Sequence, residues 1–186
     1  HGIDMIERET SEIDRLTGRI IELMRADIAH KQTDYEIISL TDLMIEKSLA
    51  YGDMMKQKKI TFNTNGNLTP CRVSGIKRDM EELLDVIFDN AVKYTALEGR
   101  IELSAESDAS FCMLKLMNTS SPIADRDLER IFEPFARFSS GKNTGFGLGL
   151  AIARRITENH GGELFVENSP EGFLLTIKLP LSRIAG

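Results

Sequence analysis

Asn143-Thr144-Gly145-Phe146-Gly147-Leu148-Gly149-Leu150 runs without a break into Ala151-Ile152-Ala153-Arg154-Arg155-Ile156, and the segment ends at His160-Gly161-Gly162. Three glycines at alternate positions leave the backbone bare where helical apolar spacing begins. A helix start carries N–H groups without intrahelical partners and the positive end of the macrodipole, so a glycine-rich approach to it suits a phosphate. The spacing is neither the GxGxxG of a dinucleotide fold nor the GxxxxGK of a P-loop followed by Ser or Thr. Residues 143–150 are therefore a candidate nucleotide site of another kind, and the competing reading is a tight connection without a ligand.

Upstream, Asp79 to Thr95 reads as a helix whose core stripe is Leu83, Leu84, Ile87, Phe88 and Ala91. Asn90, Lys93 and Tyr94 stand at i, i+3 and i+4 and share another face of it. An amide oxygen can bind a hard cation, an ammonium is a point charge for phosphate, and a phenol ring is a flat surface for a base. Leu97-Glu98-Gly99 turns into two strands, Arg100 to Glu106 and Phe111 to Asn118, joined as a hairpin by Ser107-Asp108-Ala109-Ser110. A short acidic and basic helix is expected around Asp125 to Arg130. Glu163 to Asn168 and Phe173 to Leu179 close the chain as two more strands.

Toward the N-terminus, Asp4 to His30 reads as one long helix, with Ile6, Ile13 and Ile20 seven apart and Leu16 and Leu23 offset by three. That is the a/d seam of a bundle or coiled coil, flanked by charged positions. Lys31-Gln32-Thr33-Asp34 is a polar break. A second helix is expected beyond it from Ile37, Leu40, Leu43, Met44, Lys47 and Ala50, then the strand Ile60-Thr61-Phe62-Asn63 and a turn at Asn65-Gly66-Asn67.

The 186 residues, 41% of them apolar, suffice for about one to one and a half domains with a proper core. A net charge of −6 with scattered lysines and arginines gives no footprint for nucleic acid. No apolar run approaches the ~20 residues of a membrane span and no signal peptide is visible. Cys71 and Cys112 lack metal-site spacing and read as small apolar residues of a reduced chain.

Several short motifs occur in one order, and together they resemble the catalytic ATP-binding domain of sensor histidine kinases. Phe88-Asp89-Asn90-Ala91-Val92-Lys93-Tyr94-Thr95 resembles the N box of that family, Phe132-Glu133-Pro134-Phe135 its F box and Gly145-Phe146-Gly147-Leu148-Gly149-Leu150 its second glycine box. Glu158-Asn159-His160-Gly161-Gly162-Glu163-Leu164 is similar to the segment that follows. The resemblance implies an α+β fold, a two-layer sandwich of helices on a mixed sheet, over residues 35–186. It makes residues 1–31 the second helix of a dimerisation and phosphotransfer domain.

The resemblance implies ATP and Mg2+ as cofactors. Asn90 would hold Mg2+, Lys93, Arg137 and Lys142 would reach phosphates, and Tyr94, Asn118 and Ile123 would lie at the adenine. Gly145, Gly147, Leu148, Gly149 and Leu150 would cradle the polyphosphate. The partners implied are a second copy through the N-terminal helix and a response regulator. The setting implied is the cytoplasmic side of a bacterial membrane sensor whose anchor lies outside residues 1–186.

The family's first glycine box, DxGxG, is here Asn118-Thr119-Ser120-Ser121-Pro122, so an amide replaces the adenine-reading carboxylate and neither glycine is present. Asn118 can still accept a proton from the adenine amino group through its side-chain oxygen. Val86 stands where the family often has another Asn. None of His1, His30 and His160 has the sequel of a phosphoacceptor, and His160, beside glycines, is expected to cap a helix. The implied reaction is therefore γ-phosphoryl transfer to a histidine elsewhere. The alternatives are a related ATPase of the gyrase, MutL or heat-shock chaperone kind and a module for dimerisation or docking that binds no nucleotide.

Overall fold

The computed structural model describes residues 35–64, 68–136 and 146–182, together with Gly18. Gly18 is helical and exposed. The remainder of the expected Asp4–His30 helix, its seam and the Asn65-Gly66-Asn67 turn lie outside the described residues.

Strand β1 (Glu36–Ser39) leads into helices α1 (Leu40–Ala50) and α2 (Gly52–Gln57), then strands β2 (Thr61–Thr64) and β3 (Arg72–Gly75) and the long helix α3 (Lys77–Tyr94). Strands β4 (Arg100–Ser107) and β5 (Phe111–Asn118) follow. After two short 3-10 turns come helix α4 (Gly149–Asn159) and strands β6 (Glu163–Ser169) and β7 (Gly172–Pro180). The main sheet has the order β2-β4-β5-β7-β6. It is mixed, because β2 runs parallel to β4 while the other three pairings are antiparallel.

Alternation along the strands decides which face is covered. Ile101, Leu103 and Ala105 of β4, Leu114 and Leu116 of β5, and Leu175, Ile177 and Leu179 of β7 are all buried. Registers such as Leu103↔Leu116↔Leu175 and Ala105↔Leu114↔Ile177 place them on one face. Helices α3 and α4 lie in the same core with Leu83, Leu84, Ile87, Phe88, Ile152 and Ile156. Phe88 is fully buried. Burial of each such side chain contributes about 1.5–3 kcal/mol. The other sheet face carries polar pairs, including Lys115 with Glu106 at 3.0 Å. The result is the expected α+β two-layer sandwich, with the helices whose ends carry the candidate site on one side of the sheet.

The structure corrects three expectations. The helix expected from Ile37 begins only at Leu40, because Glu36–Ser39 form β1 and pair antiparallel with β3. Ser39 then caps α1, its hydroxyl accepting from the Asp42 N–H at 3.4 Å. The helix expected at Asp125–Arg130 is instead two 3-10 turns, Asp125–Asp127 and Arg130–Phe132. Cys71 and Cys112, expected to be separate thiols, form a disulfide with Cα atoms 5.6 Å apart. Cys71 precedes β3 and Cys112 lies in β5, so only the tertiary fold brings them together.

Candidate nucleotide site

Helix α3 forms because its apolar residues recur every three or four positions over eighteen residues without Pro, burying Met80, Leu83, Leu84, Val86, Ile87, Phe88, Ala91 and Val92. That burial turns Asn90 and Lys93 to a half-buried position and leaves Tyr94 40% exposed. The Asn90 Nδ2 donates to the Val86 carbonyl one turn back, at 2.8 Å. The amide nitrogen is thereby engaged and Oδ1 is the atom left for a cation. The Lys93 ammonium stands 5.1 Å from the centre of the Tyr94 ring.

Helix α4 begins at Gly149 with Leu148 as N-cap, no capping side chain and no acidic residue in its first turn. Its first N–H groups lack intrahelical partners, which makes this end receptive to an anion. A Cβ at Gly149 would lie 3.2 Å from Val86 Cγ1 and 3.3 Å from Asn90 Nδ2. The start of the glycine helix thus rests on the Asn90 turn of α3. Val86 is buried and fills that contact.

Gly147 adopts φ +69°, and a Cβ there would collide with the Ala136 carbonyl oxygen. The Phe135 N–H donates to the Gly147 carbonyl at 2.9 Å, and Phe135 itself has φ +68°. The F-box end and the glycine box are therefore adjoining walls. Leu148 is buried, and Leu150 is half-buried and packs on the core.

At the end of β5, Asn118 is 3% exposed and its Nδ2 has no hydrogen-bond partner among the described residues. Thr119 accepts from Ala96 N–H at 3.4 Å, which ties this strand end to the segment leaving α3. Ile123 is half-buried, its N–H donating to Asn168 Oδ1 at 3.0 Å and its carbonyl accepting from Asn168 Nδ2 at 2.7 Å. Asn168 is a positioning side chain that no sequence motif signalled. Arg137, Lys142 and Gly145 lie outside the described residues.

His160 is a structural side chain, as its place beside glycines suggested. Nδ1 is 2.8 Å from the Ile156 carbonyl and Nε2 accepts from the Ile76 N–H at 3.2 Å, with the side chain 1% exposed. Among the described residues no group of three or more His, Cys, Asp or Glu is placed to hold a metal ion. No described helix is long and apolar enough to cross a membrane.

A glycine-flanked helix start is set against an amide-bearing helix over a mixed sheet. Residues 75–183 match the family described as histidine kinase-, DNA gyrase B-, and HSP90-like ATPase, and the chain belongs to that family. The sensor protein PfeS of Pseudomonas aeruginosa is 36% identical over 110 residues, 59% of this chain and 25% of that protein. The sensor histidine kinase RppB of Synechocystis is 28% identical over 95% of this chain and 40% of its own length. The solved structure of the mycobacterial sensor histidine kinase MprB superimposes with a TM-score of 0.70 at 26% identity, covering 80% of this chain and all of that one. The chain spans between a quarter and a half of the curated relatives it matches.

Proposed function

We propose that this chain holds Mg-ATP and presents its γ-phosphoryl group to a histidine on a separate helix, as the catalytic ATP-binding part of a sensor histidine kinase. The observation that carries the reading is the meeting of Gly149 with Asn90, 3.3 Å from a Cβ position to the amide. This sets an uncapped helix start beside a candidate cation ligand. Asn90 Oδ1 would hold Mg2+, in keeping with the few protein ligands that Mg2+ usually takes. When bound, Mg2+ supplies positive charge to the phosphate oxygens.

The remaining roles fall to the chain's own groups. The first N–H groups of α4 and the bare backbone at Gly147 and Gly149 receive the polyphosphate, with Gly145, Leu148 and Leu150 flanking them. Lys93, Arg137 and Lys142 add charge, and Tyr94, Asn118 and Ile123 hold the base. The Asn118 side-chain oxygen is the proposed acceptor for the adenine amino group. Phosphoryl transfer in such a site rests on positioning and charge neutralisation rather than on a protein nucleophile. Residues 1–31 are proposed as one helix of a homodimeric phosphotransfer bundle and residues 35–186 as the ATP-binding domain. A response regulator is the proposed receiver of the phosphoryl group, on the cytoplasmic side of the membrane.

Titration with a non-hydrolysable ATP analogue tests the reading. We expect binding at roughly micromolar strength that depends on Mg2+, and loss of the Mg2+ dependence in Asn90→Ala. Unchanged Mg2+-linked affinity in that variant refutes the metal assignment. No binding by the wild-type chain would favour a docking module instead.

A further inference from the structure

Lys58 lies in the turn between α2 and β2, outside every motif of the nucleotide site. Its ammonium donates to three carbonyl oxygens at the end of α3: Val92 at 2.7 Å, Lys93 at 3.1 Å and Thr95 at 2.6 Å. An ammonium has three donors, and here all three converge on one helix terminus. Those carbonyls are among the groups that an α-helix leaves unpaired at its C-terminus, and they form the negative pole of its dipole. Burial pulls the Lys58 pKa below its ordinary value, as expected for an ammonium partly removed from water.

The placement has a consequence for anion binding. Lys93 and Tyr94 stand on the last turn of α3, so a polyphosphate drawn to the Lys93 ammonium approaches the same negative pole. A cation seated on the carbonyls offsets that pole and fixes the backbone that carries both side chains. The turn bearing Lys58 is itself tied down, because the Lys58 carbonyl accepts from the Glu98 N–H at 2.9 Å. Lys59, the next residue, pairs with the Glu98 carboxylate at 2.9 Å and is 70% exposed. Of these two adjacent lysines of equal charge, Lys58 holds the helix end while Lys59 pairs with Glu98 at the surface.

We propose that Lys58 is a positioning residue of the nucleotide site, which masks the C-terminal pole of α3 and sets Lys93 and Tyr94 for the nucleotide. The inference rests on the proposed nucleotide-binding reading.

The test compares Lys58→Met, Lys58→Arg and Lys59→Met with the wild-type chain by titrating each with a non-hydrolysable ATP analogue in Mg2+, with melting temperatures recorded in parallel. Lys58→Met is expected to bind about tenfold more weakly, because it removes the cation that offsets the negative pole of α3 beside the incoming anion. Lys58→Arg keeps the charge and is expected to restore affinity to within about threefold, while Lys59→Met stays within about twofold of wild type. Should Lys58→Met fail to fold, Lys58→Gln replaces it, keeping a donor without the charge, with the same expected weakening. A lowered melting temperature with affinity within twofold of wild type would show a purely structural cap and overturn the proposal. Equal loss in Lys59→Met would overturn it as well, by making the effect one of net charge. Failure of the wild-type chain to bind the analogue refutes the nucleotide-site reading itself, whereas wild-type binding with full affinity in the Lys58 variants refutes only this inference.

Discussion

The end of α3 and the start of α4 lie on the same side of the sheet and are built in opposite ways. At the end of α3 the Lys58 ammonium reaches three carbonyls, and the Thr95 hydroxyl donates to the Ala91 carbonyl at 2.6 Å. At the start of α4 no side chain among the described residues caps the first N–H groups. Instead Gly147 and Gly149 bring bare backbone against Ala136 and the Asn90 turn. A protein that saturates one helix end with its own groups and leaves the other open has separated the backbone that carries Lys93 and Tyr94 from the backbone open to a ligand. The open end is where an anion gains most, because its donors have no competing partner to displace.

Filling the open end should have the largest effect. Gly147→Ala forces a side chain into the left-handed region at φ +69° and drives its Cβ into the Ala136 carbonyl. Strain of this kind and overpacking each cost about 1–3 kcal/mol, so folding stability should fall by roughly 2–4 kcal/mol. Binding of the ATP analogue should fall by about a hundredfold. Gly161→Ala is the control, because its φ of +71° is similar but the nearest atom to its Cβ, Pro180 Cγ, is 3.6 Å away. It should lose only about 1–2 kcal/mol of stability, with no change in affinity. Equal affinity losses in the two variants, measured by titration on folded protein, would mean that the bare backbone at Gly147 is not part of the site.

Asn118 sharpens the contrast, because it carries an open polar group within a strand end that is otherwise closed. Its Nδ2 is buried without a partner among the described residues, which costs the free protein on the order of 1–3 kcal/mol. Asn118→Leu should therefore raise the melting temperature while weakening adenine-nucleotide binding by about 1–3 kcal/mol, roughly tenfold to a hundredfold. Opposite signs in stability and affinity mark a group kept for a ligand. If both fall together, or if affinity is unchanged, Asn118 does not read the base.

The parts of the fold that were legible in the sequence are those whose signal is local. The stripe Leu83, Leu84, Ile87, Phe88 and Ala91 is an uninterrupted 3.6-residue period, and α3 was found within two residues at each end. The hairpin of β4 and β5 was equally readable from two alternating runs around a polar turn. Strand β1 was not, because its partner β3 lies more than thirty residues further on and Ile37 happens to fit the helical spacing of α1. The Ser39 cap with Asp42 three residues later was the local clue to the true helix start. Cys71 and Cys112 pair across elements that only the tertiary fold brings together.

The candidate site divides in the same manner. Asn90, Lys93 and Tyr94 were legible because one helical turn brings them to one face. The glycine box was legible because glycines can be spaced only so densely before a helix without a backbone reason. The approach of Gly149 to Asn90 joins residues 59 positions apart and needed the packing of α3 against α4. Lys58 carried no signal at all, since a lysine beside a lysine in a polar turn has the appearance of ordinary surface charge.

The smallest expected effect belongs to the closed end. Thr95 is 2% exposed, and its hydroxyl donates to Ala91 within the last turn of α3. Its methyl group faces Gly99, where a Cβ would come within 2.6 Å of Thr95 Cγ2. Thr95→Val retains that methyl and replaces the hydroxyl with a second one. The Ala91 carbonyl stays satisfied, because the Thr95 backbone N–H also donates to it at 3.0 Å. The loss should therefore be that of one hydrogen bond whose acceptor keeps a second donor, about 0.5–1.5 kcal/mol. Lys58 still holds the carbonyls beyond, so affinity for the ATP analogue should remain within about twofold of wild type. Denaturant unfolding measures the first quantity and titration the second. A loss of affinity as large as that expected for Lys58→Met, with only this small loss of stability, would show that the closed end transmits fine changes in helix geometry to the bound nucleotide. The division between scaffold and site would then fail at Thr95, one residue beyond Tyr94.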